Sequence, residues 1–177
     1  MHLLNLLELY RKHVDYGKKL KINGLLCLHG HGKIVIGDNC IITSSGRYNP
    51  TDGSSKTHLS TKQNGILDIG NNVGISNTAI TASEYIKIGN DVMIGSGCMI
   101  SDTDHHSIFL TERLCGNGTF SAPILIGDGA FLGARTIVLK GVTIGKEAVI
   151  GAGSVVTKDI PDREVWAGNP VKFVKKI

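Results

Sequence analysis

The stretch Ser101-Asp102-Thr103-Asp104-His105-His106 places two carboxylates and two imidazoles within six residues. Histidine has an unperturbed pKa of about 6.5, so at neutral pH it can take a proton from a weak nucleophile as that nucleophile attacks. A hydroxyl needs such a base. An amine needs the same one, so the imidazole does not separate the two kinds of acceptor. An imidazole working this way also needs a partner that holds its tautomer and stabilises the imidazolium. Asp104 is adjacent, although consecutive side chains often point apart. Glu84 lies one coil earlier in the repeat described next, Asp102 is a third choice, and a backbone carbonyl is a fourth.

The elements that must position these residues follow a six-residue rhythm. Ile126, Leu132, Val138, Ile144, Ile150 and Val156 stand six apart without a slip, most of them followed by a small residue and a polar pair. That period fits neither an α-helix nor a simple alternating strand over such a length. It predicts a triangular β-helix, in which each hexad makes one short strand and one corner and three hexads, roughly 18 residues, close a coil. Upstream, Ile88, Ile94 and Ile100 form a full coil. Ile69 and Ile75 begin another, with Thr81 in the third aliphatic slot, and Ile36 and Ile42 are a fragment. His105 falls on the last position of the coil begun by Ile88, which puts it at a corner facing a cleft.

The rhythm breaks near 44–64 and 106–123, which are expected to leave the prism as loops and build a binding face. Leu3, Leu4, Leu6, Leu7, Tyr10 and Val14 predict a short amphipathic helix capping the first coil against edge pairing. The expected organisation is one domain over 1–177: a helical cap over 1–20, an all-β, β-helical prism over 21–161, and a tail over 162–177.

Composition narrows the function. Hydrophobic residues make up 41% of the 177 and aromatic residues 5%, which suits a narrow aliphatic interior. The net charge of +4 is too small to argue for nucleic acid, and no helix-turn-helix or aromatic RNA-binding signature is present. Part of the excess, Lys158, Arg163, Lys172, Lys175 and Lys176, collects at the C-terminal end, where it could meet a phosphorylated ligand. The N-terminal apolar stretch is broken by Glu8, Arg11 and Lys12, so neither a secretory signal nor a transmembrane span is expected, and the cytoplasm is. Cys27, Cys40, Cys98 and Cys115 lack close metal-ligand spacing, so no metal is expected. Cys40 and Cys98 occupy repeat positions where free thiols are buried.

Hexads, a histidine ending a coil, an insertion after it and the closing Trp166-Ala167-Gly168-Asn169-Pro170-Val171-Lys172 occur here together. From about Ile34 onward the sequence resembles the hexapeptide-repeat acyltransferases of left-handed β-helix fold, and among them the O-acetyltransferases that decorate bacterial polysaccharides. The resemblance implies the left hand, a homotrimer with active sites between prisms, and a bacterial cytoplasmic enzyme. Acetyl-coenzyme A would be the co-substrate, and a hydroxyl of a sugar or surface-polysaccharide precursor the acceptor. It aligns His105 with the catalytic base and puts Asn77 near the acceptor; His106 is the alternative base, or a contact to the acceptor, or merely exposed. Gly133, Ala134, Ala152 and Thr157 would lie along the pantetheine arm, and Lys172 and Lys175 near the coenzyme phosphates. Trp166 would lie on the adenine or in the core. A backbone N–H at Gly95 or Gly133 would serve the oxyanion, and 114–121 would form a flap over the acceptor. Competing expectations are an N-acetyltransferase acting on an amino sugar, an antibiotic acetyltransferase and a non-catalytic trimeric scaffold. A γ-carbonic-anhydrase-like metal enzyme would need three histidines around zinc, which adjacent His105 and His106 do not supply.

Overall fold

The computed structural model describes residues 2–52 and 56–177. Its strands stack into three sheets, the faces of a triangular prism. The first face holds Asp15–Tyr16, Lys33–Ile36, Ile66–Ile69, Tyr85–Ile88, Ile124–Ile126 and Thr143–Ile144. The second holds Lys21–Gly24, Ile41–Ser44, Gly74–Ser76, Met93–Ile94, Phe131–Leu132 and Val149–Ile150. The third holds Cys27–Gly30, His58–Thr61, Ala79–Ala82, Met99–Ser101, Ile137–Val138 and Val155–Val156. The chain visits the faces in rotation, all pairings between coils are parallel, and the hexad aliphatics stack in register. On the second face Ile42, Ile75, Ile94, Leu132 and Ile150 form one column, each no more than 2% exposed. Burial of each such side chain is worth about 1.5–3 kcal/mol against leaving it in water.

The polar residues of the hexads have a structural task at the corner between the first and second faces. A corner N–H cannot join a sheet ladder and must find an acceptor elsewhere. Here the Asx side chain one coil further on supplies it. Lys18 N donates to Asp38 Oδ1 (2.6 Å), Asp38 N to Asn71 Oδ1 (2.8 Å), Asn71 N to Asn90 Oδ1 (2.9 Å), and Asn90 N to Asp128 Oδ1 (2.8 Å). The next residues, Asn39, Asn72 and Asp91, turn the corner at φ of 59°, a left-handed conformation that Asn and Asp tolerate. The Asn90 N–H, helped by nearby Lys146, holds the Asp128 carboxyl below the usual carboxylate range. A lowered folded pKa means stabilisation that is present above the unfolded value, about 3.9, and is lost as pH falls through the folded value. Asp128→Ala is therefore expected to unfold at lower temperature at neutral pH, with the gap to wild type closing on acidification. A gap that stayed constant down to pH about 2 would contradict this linkage.

Three features of the prism differ from the sequence reading. The third aliphatic slot of the coil begun by Ile69 is Ile80, not Thr81. Ile80 is fully buried and in register with Leu59 and Ile100, because the corner at Asn77 is one residue shorter than its neighbours. Within 44–64, His58–Thr61 is a strand of the third face, so the excursion runs only over 45–57, of which 53–55 lie outside the described residues. Leu59 is the sole aliphatic in that stretch, too little for a hexad signal. The prism also begins earlier than residue 21, since Asp15–Tyr16 already pairs with Lys33–Ile36.

The N-terminal helix, α1 (Leu3–Arg11), caps this end differently from an amphipathic packing helix: Leu3, Leu4, Leu6 and Leu7 are exposed, and only Asn5 and Leu9 are buried. Asn5 accepts from Leu26 N (3.1 Å) and donates to Gly24 O (2.8 Å), pairing the backbone of the first coil. At the other end Glu164–Ala167 extends the second face, and Lys172–Lys176 folds back antiparallel on it. Among the described residues no helix is long and apolar enough to cross a membrane.

Candidate active site

After the third-face strand Met99–Ser101 the chain leaves the prism over 102–123 before re-entering at Ile124. Asp102 starts the excursion and is fully buried. Its Oδ1 accepts from Ser83 N (2.6 Å) and its Oδ2 from Glu84 N (2.8 Å) and Tyr85 N (2.9 Å). These are the corner N–H groups of the coil beneath, so Asp102 is a structural cap and its oxygens do not serve an imidazole. Thr103 pairs antiparallel with Ser121 across the neck of the excursion, with Asp104 N bonded to Phe120 O and Ala122 N to Asp102 O.

Just beyond this neck His105 turns at φ 61°, a conformation that costs an L-residue energy and persists only where the surroundings impose it. Its ring is exposed, and Nε2 lies 3.1 Å from Ser101 Oγ. Among the described residues Nδ1 has no hydrogen-bond partner. His106 is exposed beside it, and its hydrogen bond among the described residues runs from its backbone N–H to Asp104 O. Asp104 does not face His105. Its Oδ1 is 2.7 Å from Nζ of Lys140, on the next coil, and that ammonium lies 5.5 Å above the Phe120 ring. The partly exposed pair is worth at most about 1 kcal/mol and pins the neck to that next coil. Glu84 is exposed and uses only its backbone toward Asp102. The side chain hydrogen-bonded to the His105 imidazole is thus Ser101, which sequence reasoning missed. The available signal was its place one residue after buried Ile100, pointing outward at the strand end.

The remaining candidates fall on two edges of the prism. Asn77 stands at the edge between the second and third faces, 2% exposed, where it accepts from Ser45 N (3.0 Å) and donates to Asn49 O (2.9 Å). Its amide holds the base of the 45–57 excursion. Gly133, Ala134 and Ala152 line the same edge. Gly133 is buried, and a Cβ there would stand 2.6 Å from Ala152 N, so contact between coils alone requires glycine. The N–H groups of Gly95 and Gly133 are donated to Leu132 O and Ile150 O, each at 2.8 Å, so neither is open to an oxyanion. Thr157 is exposed on the other edge, between the third and first faces, which it shares with His105 and Lys140.

Lys172 and Lys175 are both exposed on the last strand. Three residues apart, they would normally point to opposite sides. A bulge at Val174 shifts the register so that they sit opposite Ala167 and Val165, on one face of the sheet. Trp166 packs against the core, donates to Glu164 Oε2 (2.9 Å) and lies under Lys158 Nζ at 5.0 Å, so one ring face is already covered. Cys40 and Cys98 are both buried in the core, each 1–2% exposed. The segment 107–118 includes the short helix α2 (Leu110–Leu114), none of whose residues is buried, and is braced by Ser107 on Glu112 (2.6 Å) and by Arg113 on Ser107 O (3.0 Å).

An open imidazole nitrogen at the neck of an excursion, with the other nitrogen tethered, is suited to general-base work on a nucleophile arriving in the cleft. Residues 123–158 match the family described as the hexapeptide repeat of succinyl-transferase. A galactoside O-acetyltransferase of Lactococcus lactis is 38% identical over 142 residues, 80% of this chain and 62% of that protein. An N-acyltransferase from Bacillus cereus, solved with dTDP-4-amino-4,6-dideoxyglucose and coenzyme A, superposes with a TM-score of 0.77 at 22% identity, covering 97% of this chain and 88% of that one. A hexapeptide-repeat acetyltransferase from Vibrio cholerae, solved with acetyl-coenzyme A, gives 0.63 at 22% identity, over 99% and 79%. The chain spans about half the length of the curated relatives it matches, from 44% to 62% for three of them. Residues 123–158 thus carry the repeat of that family, and the prism has the fold of the solved hexapeptide-repeat acetyltransferases, a left-handed parallel β-helix.

Proposed function

We propose that this protein is an acetyl-coenzyme A dependent O-acetyltransferase acting on a hydroxyl of a sugar, a precursor of a surface polysaccharide, in the cytoplasm. The observation that carries the reading is His105, an exposed imidazole fixed at the neck of the 102–123 excursion with Nδ1 open. In the reaction the acceptor hydroxyl attacks the thioester carbonyl while its proton passes to His105. The tetrahedral adduct then collapses, and the coenzyme thiolate leaves and takes that proton. The products are the acetyl ester, free coenzyme A and neutral His105. A hydroxyl of a sugar is favoured by the name of the Lactococcus relative.

The two-edged distribution supports a homotrimer. Ala134 and Ala152 lie on one edge and His105 and Thr157 on another, so a cleft that uses both sets requires a second copy of the chain. In that cleft Ala134 and Ala152 leave room for a pantetheine arm, and Lys172 and Lys175 supply two point charges for the coenzyme phosphates. Calorimetric titration with coenzyme A and with acetyl-coenzyme A is the test. Saturable binding is expected, weakened roughly tenfold, about 1.4 kcal/mol, when Lys172 and Lys175 are both changed to Ala. No binding at millimolar ligand would refute the reading.

A further inference from the structure

We infer that Ser101 is the positioning residue for His105 and that it leaves Nδ1, not Nε2, as the nitrogen that accepts the proton. This rests on the reading of His105 as the base. Ser101 Oγ lies 3.1 Å from Thr103 O and 3.1 Å from His105 Nε2, and a hydroxyl has one hydrogen to give. The carbonyl decides where it goes. Thr103 is only 5% exposed, and among the described residues its oxygen has no other donor. The two backbone bonds of the neck run through its neighbours, from Asp104 N to Phe120 O and from Ala122 N to Asp102 O.

Turning the hydroxyl toward the imidazole would leave that buried carbonyl unpaired, a costly state. The hydrogen therefore points at Thr103 O, and Oγ presents a lone pair to His105. The contact is a hydrogen bond only if Nε2 carries the hydrogen, and a neutral imidazole has just one. Nδ1 is left with the free lone pair. When it takes the acceptor's proton, the Nε2–H bond to Ser101 is retained, so the ring keeps its orientation through the cycle.

The carboxylates that would otherwise do this job are engaged or distant. Asp102 caps three backbone N–H groups, Asp104 faces Lys140, and Glu84 makes no side-chain hydrogen bond or ion pair among the described residues. A neutral oxygen stabilises an imidazolium less than a carboxylate does, so its loss costs less than loss of the base. Ser101 is itself well placed to orient the ring, because its strand is held in register opposite Thr81.

The test combines nitrogen-15 spectra of the full chain with kinetics of two variants. Above the ordinary imidazole range of about 6.5, wild-type His105 is expected to show Nε2 as the protonated nitrogen and Nδ1 as the bare one; the reverse assignment would overturn the inference without any activity being needed. Ser101→Ala is expected to lower kcat about tenfold with KM for acetyl-coenzyme A unchanged, and Ser101→Thr, which keeps the hydroxyl, to restore it. Wild-type kcat in Ser101→Ala, with His105→Ala inactive, would remove the positioning role. Full activity in His105→Ala would instead overturn the base reading on which the inference stands.

Discussion

His105→Ala is expected to lower acetyl transfer by about 10²- to 10⁴-fold, the usual contribution of a positioned general base. Thermal unfolding and coenzyme A binding should stay at wild-type values. The separation follows from the geometry. The ring is exposed and, among the described residues, its hydrogen-bond partner is Ser101 Oγ, so removing it strands no buried group; Ser101 keeps its bond to Thr103 O. The backbone at φ 61° is no better for Ala than for His, so local strain is unchanged. His105→Asn is the companion variant, because Asn tolerates that conformation and cannot act as a base. Both should fold and neither should turn over. His106→Ala should cost much less, since that exposed side chain makes no hydrogen bond or ion pair among the described residues. A wild-type rate in either His105 variant would end the assignment.

Asp102→Ala should do the opposite: a loss of stability of about 3 kcal/mol or more, with transfer falling only as the fold fails. Asp102 is fully buried and accepts from Ser83, Glu84 and Tyr85 N–H groups. Each buried donor left unpaired costs about 1–3 kcal/mol, and a cavity adds to that. Asp102→Asn is expected to be little better. Its amide oxygen can replace only one carboxylate oxygen, and its NH2 would then face an N–H donor rather than an acceptor. Denaturant unfolding of the two variants checks this. Near-wild-type midpoints for both would mean the corner can find water instead. The pair of experiments separates a carboxylate that builds the site from an imidazole that works in it, two residue types only three positions apart.

Periodicity is why so much of this was legible in the chain itself. A side chain that returns every six residues can be buried in every coil only if the backbone turns one third of a revolution each time. Ile126 to Val156 therefore determined the prism and its axis of stacking, and Ile88, Ile94 and Ile100 the corner at which His105 stands. The Asp and Asn residues two places after many hexad aliphatics were equally visible, although their task, pairing the N–H of the neighbouring coil, was not. Where the side chains became short and polar the period disappeared. The strand His58–Thr61 was hidden because one leucine among serines and threonines carries no rhythm, and Ile80 because its corner lacks one residue.

The tertiary structure alone decided which groups meet. Asp102, Asp104 and Glu84 are equivalent as letters near a histidine. Burial gave the first to three backbone donors, and the next coil offered Lys140 to the second. Ser101 reached the imidazole because the neck folds His105 back over its own strand end. Asn77 was claimed by the 45–57 excursion, and a bulge at Val174 put Lys172 and Lys175 on one face. Each of these outcomes depends on contacts between residues distant in the chain or on a local break in register. A repeat determines where the corners lie, and only the packed coils determine what each corner holds.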